Sequence, residues 1–150
     1  MERSIFLQEI GKVTELAQYL ELELGTILLV AEAEDKEWEK SPVDNSEAYE
    51  KLRDSVNNNT LGQTLRSIQK KFTLLKEFPE IMEHALKSRN RFTHHVFREF
   101  SLTMHTAEGR AEMLKVVEEL RSSMQLAYDV ASPISDRLVS AHVSNAKKNS

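Results

Sequence analysis

Arg89, Asn90 and His94 are the residues whose types and spacing point most directly to chemistry. They lie in the stretch Ser88-Arg89-Asn90-Arg91-Phe92-Thr93-His94-His95-Val96-Phe97, late in a segment that reads as a helix from Pro79 to about Phe100. Placed on a wheel at ~100° per residue, Ile81, Met82, Ala85, Leu86, Phe92, Val96, Phe97 and Phe100 share an arc of roughly 160°. Arg89 points into the middle of that arc. An Arg is seldom buried without a partner, and an unpaired buried charge costs several kcal/mol, so the amphipathic pattern alone does not account for it. Asn90 and His94 are four apart and stack on one edge of the stripe. Arg89 and His94 are five apart, roughly 140° around the axis, but a long Arg can lean toward that edge. No acid lies between Glu83 and Glu99. Lys87, Arg89, Arg91 and Arg98, with His84, His94 and His95, make the span basic in a chain of net charge −4. A cation, an amide and an imidazole on one rim suit a phosphate diester. The cation holds non-bridging oxygens, the imidazole moves protons near neutral pH, and the amide orients either.

The elements that must position these residues are helical. From about Glu2 to Trp38, Phe6, Ile10, Val13, Ala17, Leu20, Leu24, Ile27, Leu28 and Ala31 recur at three- and four-residue steps. Around Leu22 to Val30 the apolar character spreads beyond one stripe, as in a helix that is central to a bundle or touches a second subunit. Gly11 and Gly25 suit close helix approach, or a break at Gly25. Glu32 to Asn45 reads as a charged exit and loop, ended by Ser41-Pro42, with Asp44, Asn45 or Ser46 able to cap a short helix over Glu47 to Val56. Asn57-Asn58-Asn59 breaks that helix. Thr60-Leu61-Gly62-Gln63 is a capping-box pattern and opens a helix with Leu61, Leu65, Ile68 and Phe72 inward and Arg66, Lys70 and Lys71 outward. Leu74 to Phe78 connects to the motif helix, where Pro79 suits the first turn. After a turn over Ser101 to His105, Thr106 can cap a last helix. Its core face is Met113, Val116 or Val117, Leu120, Met124, Ala127, Tyr128 and Ala131. Ser132-Pro133 is expected to kink or end it, Ile134 and Leu138 to resume it briefly, and 141–150 to form a disordered polar tail.

Arg-Asn-x-x-x-His at the end of an apolar helix resembles the signature of the HEPN domain family, an Arg followed after four to six residues by His, often with a polar residue after the Arg. Arg89, Asn90 and His94 match it position for position, in the third long helical segment with a fourth amphipathic helix behind it. The resemblance implies an all-α fold, an up-down bundle of four to five helices over residues 1–140, usually dimeric, with the two motif helices meeting in a composite site. It also implies a metal-independent endoribonuclease, often the toxin of a toxin–antitoxin pair with a nucleotidyltransferase-type antitoxin. On that reading His94 exchanges a proton with the ribose 2′-hydroxyl or the leaving oxygen. Arg89 holds the phosphate, and Asn90 orients either. Arg91, His95 and Arg98 extend the RNA contact. Some members keep the fold without activity, so the alternative is a non-catalytic helical dimerisation module in which Arg89 is a structural ion-pair member.

The totals bound these readings. With 150 residues, 40% of them hydrophobic and 29% charged, the chain is long enough for one domain with a core. The four glycines and three prolines leave little to interrupt long helices. The absence of cysteine excludes disulfides and thiolate metal sites. No secretory leader or bilayer-length apolar run is present, so a cytoplasmic location and no membrane partner are expected. The sequence pI near 5.8 argues against a broad nucleic-acid-coating surface. Glu-x-x-His pairs for a dinuclear metal site are absent, as are glycine-rich phosphate loops and Gly-x-Ser-x-Gly elbows, so neither cofactor nor metal is expected.

Overall fold

The computed structural model describes residues 1–35, 46–71 and 77–148. Every element among them is helical: α1 Arg3–Asp35, α2 Ser46–Asn58, α3 Leu61–Lys71, α4 Phe78–His94, α5 Val96–Glu99 and α6 Ala107–Lys148. The expected loop through Ser41-Pro42, the end of the first helix at Trp38, the core residue Phe72 and the connector at Leu74 lie outside the described residues.

The chain divides into two compact units, Met1–Leu20 with Lys76–Asp129, and Glu21–Leu75 with Val130–Ser150. In the first, α1 buries Phe6, Ile10, Val13, Leu16, Ala17 and Leu20, α4 buries Phe78, Met82, Ala85 and Phe92, and α5 buries Val96. The leading half of α6 adds Met113, Val117, Leu120, Met124 and Ala127. These are the three- and four-residue steps of the sequence, and burying that apolar surface is what stabilises helices of ordinary propensity. Of the two valines left open on the last helix, Val117 is fully buried and Val116 half-buried. Ser88 is also buried, a polar group inside the apolar stripe, and its hydroxyl is satisfied by the Ser123 hydroxyl at 2.5 Å.

In the second unit the core comprises Leu24, Ile27, Leu28, Val30 and Ala31 of α1, Val56 of α2, Leu61, Leu65 and Ile68 of α3, and Ala131 of α6. Leu22 remains exposed, while Val30 turns inward. The buried Ser135 hydroxyl bonds the Glu23 carboxylate. The capping box forms as its spacing predicts. Thr60 Oγ1 accepts from the Gln63 N–H at 3.2 Å, and Gln63 Oε1 accepts from the Thr60 N–H at 2.8 Å.

Several boundaries depart from the sequence reading. The second helix runs on to Asn58 rather than ending before the asparagines. Ser132-Pro133 does not end the last helix, which continues to Lys148 through the segment expected as a polar tail. Beyond Pro133 that segment has no further Gly or Pro, and alanines and lysines near its end favour helix. The motif helix is not continuous to Phe100. α4 stops at His94, His95 adopts φ −121° and ψ −41°, and a single turn, α5, follows. Thr106 caps α6 as expected, its Oγ1 accepting from the Gly109 N–H at 3.0 Å.

Candidate functional site

The side chain of Arg89 is half-buried on α4. It lines a cavity of about 210 Å³ with Phe92, Thr93 and Phe97, closed on the other side by Thr14, Ala17 and Gln18 of α1. Arg89 thus stands among apolar residues of the stripe at a cavity with polar as well as apolar walls, and its guanidinium reaches exposed Asn90. Its Nη1 donates to Asn90 Oδ1 at 3.2 Å, which leaves the Asn90 amide nitrogen as a donor. Thr14 and Gln18 add a hydroxyl and an amide to the cavity wall. Thr14 Oγ1 is turned back onto the Ile10 carbonyl at 2.9 Å, a backbone bond common for Thr in helices.

His94 is the last residue of α4 and is exposed. It is not among the residues lining the Arg89 cavity. Its ring lies 6.4 Å from that of His95, edge-on at 78°. The structure thus brings Arg89 and Asn90 together and sets His94 apart from the cavity within one chain.

The remaining basic residues of the motif are distributed differently. Arg91 forms a two-point ion pair with Glu99, Nε to Oε1 at 3.1 Å and Nη2 to Oε2 at 2.8 Å. In an unbroken helix these residues would stand about 12 Å apart along the axis, so the pair spans the interruption at His95. The hydrogen bond from Arg91 holds the Glu99 carboxyl below its ordinary value, and that bond in turn raises the Arg91 guanidinium. Arg91 is therefore committed to a carboxylate, and only displacement would free it for RNA. His95 and Arg98 are exposed. The clamp was invisible to helical-periodicity reasoning because an eight-residue separation is not a contact spacing on a helix.

Two features of this region escaped the sequence reading. One is Gly109, where a Cβ would sit 1.9 Å from the Thr103 carbonyl oxygen, so the turn after α5 packs directly on the first turn of α6. The other is a second cavity of about 350 Å³ between α1 and α6. Among the described residues, no three His, Asp or Glu side chains converge as a metal site, and no helix is long and apolar enough to cross a membrane. Compared with protein-family models, curated proteins and solved structures, the chain matches none of them.

Proposed function

We propose that this chain is a metal-independent endoribonuclease of HEPN type. The observation that supports the reading is the half-buried Arg89 at a cavity, its guanidinium hydrogen-bonded to Asn90, with an exposed imidazole five residues on. Arg89 would grip a phosphate as negative charge builds on it, aided by the Asn90 amide. His94 would accept the proton of the ribose 2′-hydroxyl, or deliver one to the departing 5′-oxygen. The 2′-oxygen attacks the adjacent phosphorus, the P–O5′ bond breaks, and a cyclic phosphate remains on one product. Because His94 lies outside the cavity of its own chain, the reading calls for a homodimer in which two motif helices combine. It extends to a toxin role with a nucleotidyltransferase-type antitoxin.

The test is cleavage of single-stranded RNA and tRNA by chelator-treated protein. Wild type is expected to cut RNA and spare DNA, which lacks the attacking hydroxyl. His94→Ala is expected to be slower by about 10²-fold or more. Absence of cutting, or equal cutting by His94→Ala, overturns the reading. The exclusion of His94 from the cavity favours a second reading, a non-catalytic helical dimerisation module in which Arg89 acts structurally. That reading expects Arg89→Ala to lower the melting temperature while His94→Ala changes nothing.

A further inference from the structure

The cavity between α1 and α6 lies on the flank of α1 opposite the Arg89 cavity. At ~100° per residue, Lys12, Glu15 and Tyr19 project from one side of that helix, and Thr14 and Gln18 from another. Across from Tyr19 stands Tyr128 of α6, ring centroids 6.5 Å apart and tilted by 41°. A flat ring inserted between two others needs about 7 Å between their faces, close to the 6.5 Å between these centroids. Tyr19 is 47% exposed, a large aromatic surface left to water. Its hydroxyl is tethered to Glu15 Oε1 at 2.9 Å, which orients the ring without covering it.

The polar groups around this cavity are specific. Arg121 and Lys12 bring a cation from each helix. Arg121 is paired only loosely, to Glu118 at 3.8 Å, and Lys12 pairs with Glu9 at 2.6 Å. Both pairs lie at the surface, with Glu9 partly covered, and neither acid lines the cavity, so an arriving phosphate competes only with weak surface pairs. Gln125 is steadied by donating to Asp129 Oδ1 at 2.9 Å, leaving its carbonyl oxygen as an acceptor. Glu15 supplies a second acceptor inside the cavity. Acceptors beside the stacking rings and cations beyond them are complementary to an amino-bearing base with a phosphate attached. A purely anionic ligand would be repelled by Glu15, and a simple cation by Lys12 and Arg121.

We infer that the α1–α6 cavity binds an adenine-type nucleotide, its base stacked at Tyr19 and Tyr128 and its phosphate at Arg121 and Lys12. The same chemistry is presented by a free mononucleotide and by an unstacked base in a single strand of RNA. The first source stands independently of the nuclease reading; the second rests on it.

Titration calorimetry on the full chain tests the site, with adenosine 5′-monophosphate as the probe. Adenosine and ribose 5-phosphate are expected to bind at least about fivefold more weakly, each lacking one half of the recognition. Tyr19→Ala is expected to weaken the mononucleotide about tenfold, while Tyr19→Phe, which keeps the ring, stays within about threefold. Arg121→Gln provides a second variant, expected to lose affinity for the mononucleotide and not for adenosine. A 2′-O-methyl oligoadenylate, which cannot be cleaved by its own 2′-oxygen, distinguishes the sources. Tighter binding than the mononucleotide, with a steeper salt dependence, assigns the site to an RNA strand, and equal or weaker binding assigns it to a free nucleotide. No binding of either probe, binding of choline in preference to both, or full affinity in Tyr19→Ala and Arg121→Gln overturns the inference. Nucleotide binding without RNA cleavage would sink the nuclease reading alone, and cleavage without nucleotide binding at this cavity would sink only the present inference.

Discussion

The Arg91–Glu99 clamp is the most sharply defined electrostatic feature of the motif region. Because the Glu99 carboxyl is held below its ordinary value of 4.5, the pair contributes stability above the unfolded-state value, and loses it as pH falls through the lower, folded one. An NMR titration of the Glu99 side chain should therefore show a midpoint below 4.5, and Arg91→Gln should return it upward. A midpoint that does not respond to Arg91→Gln would mean the clamp does not persist in solution. The glycines offer a contrast of sign. Gly11 does not serve the close helix approach expected of it, since an added Cβ there meets nothing within 4 Å, so Gly11→Ala is expected to stabilise by about 0.5–1 kcal/mol through helix propensity. At Gly109 the same atom would collide with the Thr103 backbone, and Gly109→Ala is expected to destabilise by about 2–3 kcal/mol. Thermal melts of the two variants should move in opposite directions, and a shared direction would show that the packing of the 100–106 turn is misplaced.

At the scale of elements, the capping box and Pro133 make separable predictions. Thr60→Ala removes an acceptor from the first turn of α3 and should cost about 1 kcal/mol in a denaturant titration. Pro133 is exposed inside α6 and gives the Asp129 carbonyl no ladder donor. Pro133→Ala should thus raise stability by up to about 3 kcal/mol, and an unchanged or lower midpoint would indicate that the break is relieved elsewhere. These elements also show what could be read in advance. The α1, α3 and α6 stripes were legible because 3.6-residue periodicity is a property of the chain itself, and buried residues from Phe6 to Ala31 follow it. So was the placement of Arg89 in an apolar face. The interruption at His95 was not, because no Gly or Pro marks it and the clamp that bridges it joins residues at no helical contact spacing. Nor were Thr14 and Gln18 as cavity walls, since only tertiary packing brings α1 to α4. The continuation past Pro133 went unread for a related reason. Ala131 and Ser135, on either side of it, are buried by packing that the sequence does not show.

At the scale of the whole molecule, the decisive question is whether one chain suffices. Within a chain, Arg89 faces a cavity that His94 does not line, so the cation and the proton carrier that the proposed cleavage would bring to one phosphate do not share it. A site shared between two copies resolves this, and it makes a prediction that neither variant makes alone. Arg89→Ala and His94→Ala proteins, each inactive by itself, should recover part of the wild-type cleavage when mixed and allowed to exchange subunits. Each mixed dimer can then join an intact Arg89 from one copy to an intact His94 from the other. Recovery should rise with incubation time and vanish on dilution below the dimer dissociation constant, because subunit exchange and assembly follow mass action. Light scattering at tens of micromolar provides the control, with a dimer mass expected. A monomer mass together with undiminished cleavage would place both groups in one chain and require a rearrangement at His95. A dimer whose mixtures stay inactive would remove the shared site.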